Sequence, residues 1–381
     1  MPPKKIIFFY LKAGGGHEST AKFLSNQIQS QYPESQIKLI DIAYKNSQSQ
    51  QTLVLKGYNW LLEEGKWLWW LLNLTTKNYI GARLFLWLPE LLITHTKIAQ
   101  TIKEEILEFQ PDLIISTYYF VAEVGSKVNF EAQKPRIITI VSDIFGAHPI
   151  WFTSKACEYT VFSDEVYKQC KKYVPNDHIH KFNLLFNSKF ENQLTFDEKC
   201  IAFKNLDLDQ SIKTILILSG GNGLPNGGKI LEELLTQMQT QDLEYQIIFV
   251  TGRNQELYQK CQNILARFKS LSSKVKLFGF RDDIYTLMNL ANIIVTKAGP
   301  ATILEAAALQ KPILISHYIL EQETANNDWV INNKLGIYEP RPRIVAEKAI
   351  NFLNGNFEFE KVELHSSVKE VVEWLMKGCI D

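Results

Sequence analysis

His17 stands directly after three glycines, Gly14-Gly15-Gly16, between an apolar run at Ile6–Leu11 and the helical spacing of Ala21, Leu24 and Ile28. A histidine at the carboxyl end of a strand is placed to act as a general base, since an imidazole with a pKa near ~6.5 takes a proton at neutral pH. The plainer alternative is a histidine that only caps the helix start. A second polar loop, Asp143 to Trp151, follows the apolar run Ile137–Val141. Asp143 there either orients a histidine or serves as base itself, unless it is a simple turn aspartate, and His148-Pro149 shapes the loop. In the second half, KAGPATILEA (Lys297–Ala306) follows an apolar run and opens a helix. Gly299 permits a close turn, Pro300 fixes the approach, and the free N–H groups of a helix start receive phosphate. Glu305 lies one turn further, where a carboxylate can meet ribose hydroxyls; otherwise it only stabilises an ordinary strand-to-helix turn. EQETANND (Glu321–Asp328) then offers Gln322, Glu323 and Asn326 to sugar hydroxyls, or is a solvated helix start.

These residues need elements to hold them. Apolar runs alternate with helical spacing from the amino terminus, and the alternation restarts at Thr214 with TILILSGGNG. Strands alternating with helices at this interval predict parallel sheets covered on both faces. The fold class is α/β. Two restarts, each with a glycine-rich first turn, predict two domains, 1–195 and 196–381, with the last helix crossing back to the first. A length of 381 residues, 46% of them hydrophobic, suits two such cores and excludes a disordered chain. The 41 basic residues balance the 41 acidic ones, which argues against a nucleic-acid partner. Five cysteines without a CxxC pair predict neither a disulfide framework nor a structural zinc site, and the cytosol is the expected location. Asp207-Leu208-Asp209 precedes a strand and reads as linker, so no metal and no cofactor are expected.

One stretch does not belong to this alternation. Residues 55–93 hold five of the eight tryptophans, Trp60, Trp67, Trp69, Trp70 and Trp87, beside Lys66, Lys77 and Arg83. Tryptophan with basic neighbours suits the headgroup layer of a membrane, and anionic lipids in particular. The alternative is a helical insertion packed on its own domain.

Taken in order, GGGH, the DxxxxHPxW of Asp143–Trp151, SGGNG at Ser219–Gly223, GRN at Gly252–Asn254, and KAGPxTxxEA followed by QExxN resemble the diacylglycerol glycosyltransferases. These are the monogalactosyldiacylglycerol synthases and the bacterial diacylglycerol glucosyltransferases, with the lipid II GlcNAc transferase as a more distant relative. The resemblance runs from about Ile6 to about Tyr338. It implies a GT-B fold, two Rossmann-like domains facing across a cleft, and an inverting transfer of a hexose from a UDP-sugar to a membrane lipid, diacylglycerol in this family. The enzyme would sit peripherally on the cytosolic face of a membrane. His17 would face the acceptor together with Gly15, Gly16, His148 and Trp151. Gly220, Gly221 and Gly223 would close over the phosphates, Arg253 would lie near the nucleotide, and Gly279 and Phe280 would flank uracil. Gly299, Pro300, Ala301 and Thr302 would take the diphosphate, Glu305 the ribose, and Gln322, Glu323 and Asn326 the sugar. The chain departs from the family where Ala301, Glu321 and Ala325 replace glycines. The competing functions are a lipid-II-type GlcNAc transferase, a GT-B sugar epimerase, and a membrane-tethered nucleotide-sugar sensor without turnover.

Overall fold

The structure, a computed structural model, describes residues 4–12, 16–42, 97–130, 134–220, 223–356 and 358–377, with Gly65, Thr75 and Gly81. The tryptophans Trp60, Trp67, Trp69, Trp70 and Trp87, and the glycines Gly15 and Gly221, lie outside the described residues. The chain divides into two compact units, Met1–Leu185 with Ser366–Asp381, and Phe186–His365. The first division falls at 185/186 instead of 195/196, because the segment from Phe186 onward is tied to a helix of the second unit: Leu194 N donates to Asn289 Oδ1 at 2.8 Å.

In the first unit the strands are β1 (Lys5–Tyr10), β2 (Gln36–Asp41), β3 (Leu113–Ser116), β4 (Arg136–Ile140), β5 (Glu158–Val161) and β6 (Ile179–Lys181). All pair in parallel, in the order β2-β1-β3-β4-β5-β6. The central strands are buried on both faces, which is why they read as unbroken apolar runs and not as alternations. The helices are α1 (Gly16–Gln31), α2 (Lys97–Phe109), α3 (Val121–Ser126) and α4 (Asp164–Cys170). α1 buries Ala21, Leu24 and Ile28, the stripe its spacing predicts. Because β1 is flanked by β2 on one side and β3 on the other, the strand order reverses between β1 and β3.

The second unit contains α5 (Phe196–Asn205), β7 (Thr214–Leu218), α6 (Gly227–Thr240), β8 (Gln246–Val250), α7 (Gln255–Arg267), β9 (Val275–Phe278), α8 (Ile284–Leu290), β10 (Ile293–Lys297), α9 (Pro300–Ala308), β11 (Ile313–His317), α10 (Thr324–Asn332), β12 (Gly336–Tyr338) and α11 (Pro342–Leu353). Its strands are again all parallel, ordered β12-β11-β10-β7-β8-β9, so the reversal lies between β7 and β10. A last helix, α12 (Val368–Lys377), belongs to the first unit. No described helix is long and apolar enough to cross a membrane.

Candidate functional site

At such a reversal the loops leaving two adjacent strands diverge to opposite faces of the sheet and open a crevice at the strands' carboxyl ends. In the first unit that crevice holds His17. α1 begins at Gly16, so the imidazole projects from the first helical turn directly after β1. Thr117, after β3, donates its hydroxyl to the His17 carbonyl at 3.0 Å and fixes that turn. Ser142, after β4, lies 3.1 Å from His17 Nδ1. The ring meets Tyr118 edge-on at 5.5 Å and Trp151 at 5.8 Å. Burial pushes the His17 pKa down to about 4, against a smaller upward pull from a hydrogen bond to the Thr117 backbone. The imidazole is therefore neutral across the physiological range and carries an accepting lone pair.

Asp143 Oδ2 accepts the Trp151 indole N–H at 2.7 Å, so Trp151 is the wall between Asp143 and His17. Trp151 is itself buried. His148 caps its own loop: its Nδ1 accepts from Ile150 N at 3.2 Å. Tyr118 and Tyr119 share a hydroxyl–hydroxyl bond of 2.9 Å, and burial raises the Tyr119 pKa. Ser142, Thr117, Tyr118 and Tyr119 were not singled out from the sequence. Their signal was position, since all four lie within four residues of the end of a buried strand.

In the second unit the residues marked by the sequence gather at the carboxyl ends of β7 to β11. Gly220 and Gly223 follow β7 with φ of +62° and +99°. At Gly223 a Cβ would stand 2.5 Å from Asn254 Nδ2, so this position admits only glycine without rearrangement. Asn254 caps α7, accepting from Leu257 N at 2.8 Å, and so ties the glycine turn to the loop after β8. Arg253 of that loop lies over the Phe280 ring at 4.8 Å, and Phe280 is 53% exposed. Gly279 packs near the Gly252 carbonyl. Gly299 caps α9, Pro300 takes its first position, and Ala301 and Thr302 complete the first turn.

Glu305 follows on α9. Burial raises its pKa to about 7, opposed by Lys189. Glu323 and Asn326 face protein groups: Glu323 pairs with Lys297 and accepts from Ile319 N at 2.9 Å, and Asn326 Nδ2 donates to the Ala298 carbonyl at 2.9 Å. Gln322 directly precedes them at the start of α10. The Asp207-Leu208-Asp209 stretch lies at the opposite, amino-terminal edge, where Asp207 pairs with Lys276 at 3.0 Å and Asp209 accepts from Ser211 Oγ at 2.7 Å. Among the described residues no three His, Cys, Asp or Glu side chains cluster as metal ligands.

Residues 17–183 match the family model for monogalactosyldiacylglycerol synthase, and residues 214–336 match the glycosyltransferase family 28 C-terminal domain. The chain is thus similar to the monogalactosyldiacylglycerol synthases over its first half and to the glycosyltransferase family 28 C-terminal domain over its second. Monogalactosyldiacylglycerol synthase 1 of Arabidopsis thaliana is 25% identical over 91% of this chain and 64% of its own length. The Spinacia oleracea synthase is also 25% identical, over 91% of this chain and 65% of that protein. The chain thus spans just under two thirds of these relatives of the family. Its GT-B fold is shared with Acinetobacter baumannii MurG, at a TM-score of 0.56 and 13% identity over 98% of this chain and 100% of that one. Anabaena HepE in complex with UDP-glucose matches with a TM-score of 0.55 and 14% identity, covering 99% and 98%.

Proposed function

We propose that the protein transfers a hexose from a UDP-sugar to diacylglycerol in a membrane surface, with inversion at the anomeric carbon. The observation that carries this is the content of the two strand-order reversals. One holds a neutral histidine against Ser142 and Trp151, and the other holds two glycine turns and the free start of a nine-residue helix. A neutral imidazole can take the acceptor's hydroxyl proton as the oxygen attacks. Helix-start N–H groups suit a diphosphate, and the raised pKa of Glu305 marks a carboxyl that gains from hydrogen-bond donors such as ribose hydroxyls. The acceptor class rests on the relatives, which are named as monogalactosyldiacylglycerol synthases.

The charge leaving with UDP would be met by helix-end donors and side-chain cations, so no metal is required, and chelation should leave turnover unchanged. Docking on the membrane is assigned to the tryptophan-rich stretch of residues 55–93. The test is a screen of UDP-galactose, UDP-glucose and UDP-GlcNAc against diacylglycerol, ceramide and polyprenyl phosphate in vesicles, with products weighed by mass spectrometry. A hexosyl-diacylglycerol is the expected product. UDP release without diacylglycerol dependence, or transfer only to the polyprenyl acceptor, would replace this function by one of its competitors.

A further inference from the structure

β10 ends on Lys297, a residue to which the family resemblance gives no role. Its side chain lies against both glycine turns of the second reversal. A Cβ on Gly220 would stand 3.5 Å from Lys297 Cε, and one on Gly299 would stand 3.8 Å from both Cε and Nζ. The ammonium pairs with Glu323 Oε1, while Glu323 Oε2 accepts the Ile319 N–H at 2.9 Å. The Lys297 side chain is 17% exposed and that of Glu323 only 6%, so of the two charges the cation is the one that reaches solvent. Asn326, bonded to the Ala298 carbonyl at 2.9 Å, fastens the start of α10 to the same strand end. The result is a lysine held in one place by a buried counter-ion, beside two residues that lack side chains. An anion approaching the Gly220 and Gly299 turns meets this ammonium.

We propose that Lys297 is the cation that receives the donor's diphosphate, and that Glu323 acts through Lys297 as its counter-ion. This rests on the UDP-sugar function proposed above and adds a residue to it. In the transfer, the acceptor oxygen forms a bond to the anomeric carbon and gives its proton to His17. The bond from that carbon to the β-phosphate oxygen breaks, and its electron pair stays on the phosphate. Lys297 sits where that charge grows, already oriented, so no reorganisation is needed as the bond breaks. Glu323 keeps the ammonium in place before the donor arrives, when the buried carboxylate would otherwise be unpaired.

The test compares UDP with uridine, which lacks the diphosphate, by titration against the full chain. In Lys297→Gln, UDP affinity should fall about tenfold or more while uridine affinity stays unchanged, as expected for a lost charge-assisted contact to phosphate. Lys297→Arg should recover part of the loss. Because Lys297→Gln leaves Glu323 without its partner, the double variant K297Q/E323Q is the folding control: an amide pair replaces the ion pair, and it should melt like the parent yet bind UDP as poorly as the single variant. Glu323→Gln alone should weaken UDP binding severalfold, but less than Lys297→Gln does, since the ammonium keeps its charge and loses only the buried counter-ion that positions it. A folded double variant that binds UDP as well as the parent overturns the role of Lys297. Unchanged or tighter UDP binding in Glu323→Gln overturns the counter-ion role. A parent protein that binds neither UDP nor uridine removes the donor site itself, and this inference with it.

Discussion

His17 is half-buried with Ser142 at its Nδ1, and the loss of hydration there holds its pKa at about 4. The acid limb of kcat/KM should therefore fall near pH 4, not near 6.5, because the base loses its lone pair only there. A profile titrating near the ordinary histidine value would show that the base is another group, Asp143 being next in line, or that the bound acceptor reorganises the pocket. His17→Ala should lower turnover by about 10²–10⁴ while leaving UDP affinity intact. Glu305 shifts in the other direction, up to about 7 from 4.5. Its sign is opposite to that of a salt-bridged carboxylate: the folded chain holds the proton more tightly, so the contribution of Glu305 to stability is fully present below pH 4.5 and is lost as pH rises through about 7. Ribose hydroxyls donate to the ionised form, so UDP should bind more tightly as pH climbs through that range and release protons on binding. Calorimetry in buffers of different ionisation heat should detect the release, and Glu305→Gln should lose it.

Among the elements, the glycine turn after β7 is the most constrained. Gly220 and Gly223 both have positive φ, but a Cβ on Gly220 meets only the flexible Lys297 stem at 3.5 Å, whereas one on Gly223 meets Asn254 at 2.5 Å. Gly220→Ala should cost about 1–2 kcal/mol of stability, the ordinary cost of a left-handed alanine. Gly223→Ala should cost more, because it also displaces the Asn254 cap of α7. Urea unfolding of the pair gives the comparison, and equal losses would mean that the turn yields without disturbing α7. The tryptophan-rich stretch of residues 55–93 is tested as an element too. Replacing Trp67, Trp69 and Trp70 by Ser in a folded variant should reduce co-sedimentation with anionic vesicles and leave UDP binding unchanged. Unchanged vesicle binding would move the docking surface elsewhere.

At the scale of the molecule, the chain leaves the first unit at Leu185 and returns to it at Ser366. α12 buries Val368, Val371, Val372, Leu375 and Met376, and Trp374 lies under the Arg136 guanidinium at 4.2 Å and beside His180 at 4.3 Å. Arg136 Nη2 also donates to Glu158 at 2.9 Å, and His180 Nε2 lies 2.7 Å from the same carboxylate. Those contacts hold the Glu158 pKa at about 2 against the upward push of burial. Each of the five apolar side chains contributes about 1.5–3 kcal/mol. Truncation after His365 should thus remove most of the stability reserve of the first unit. Hydrogen exchange should show loss of protection in β4 to β6 and retained protection in β7 to β11. Uniform loss across both sheets would mean that the two units unfold as one.

Two parallel sheets and the helices that cover them are legible in the order of residues alone. Strands buried on both faces must be apolar throughout, and runs such as Ile215–Leu218 and Ile293–Val295 carry that signal locally. That order also marks Gly299 and Pro300, because a helix start has a local chemistry of glycine, proline and free N–H groups. Which polar residues meet is set by the folded arrangement. Ser142 lies 125 positions from His17, Thr117 lies 100 away, and Lys297 meets Glu323 across 26. No periodicity encodes such distances. They follow from strand order, which reverses between β1 and β3 and between β7 and β10 and so brings loops distant in sequence to one crevice. The same pairing turned Glu323 and Asn326 inward, toward Lys297 and the Ala298 carbonyl, where the sequence had shown only a polar cluster after a strand.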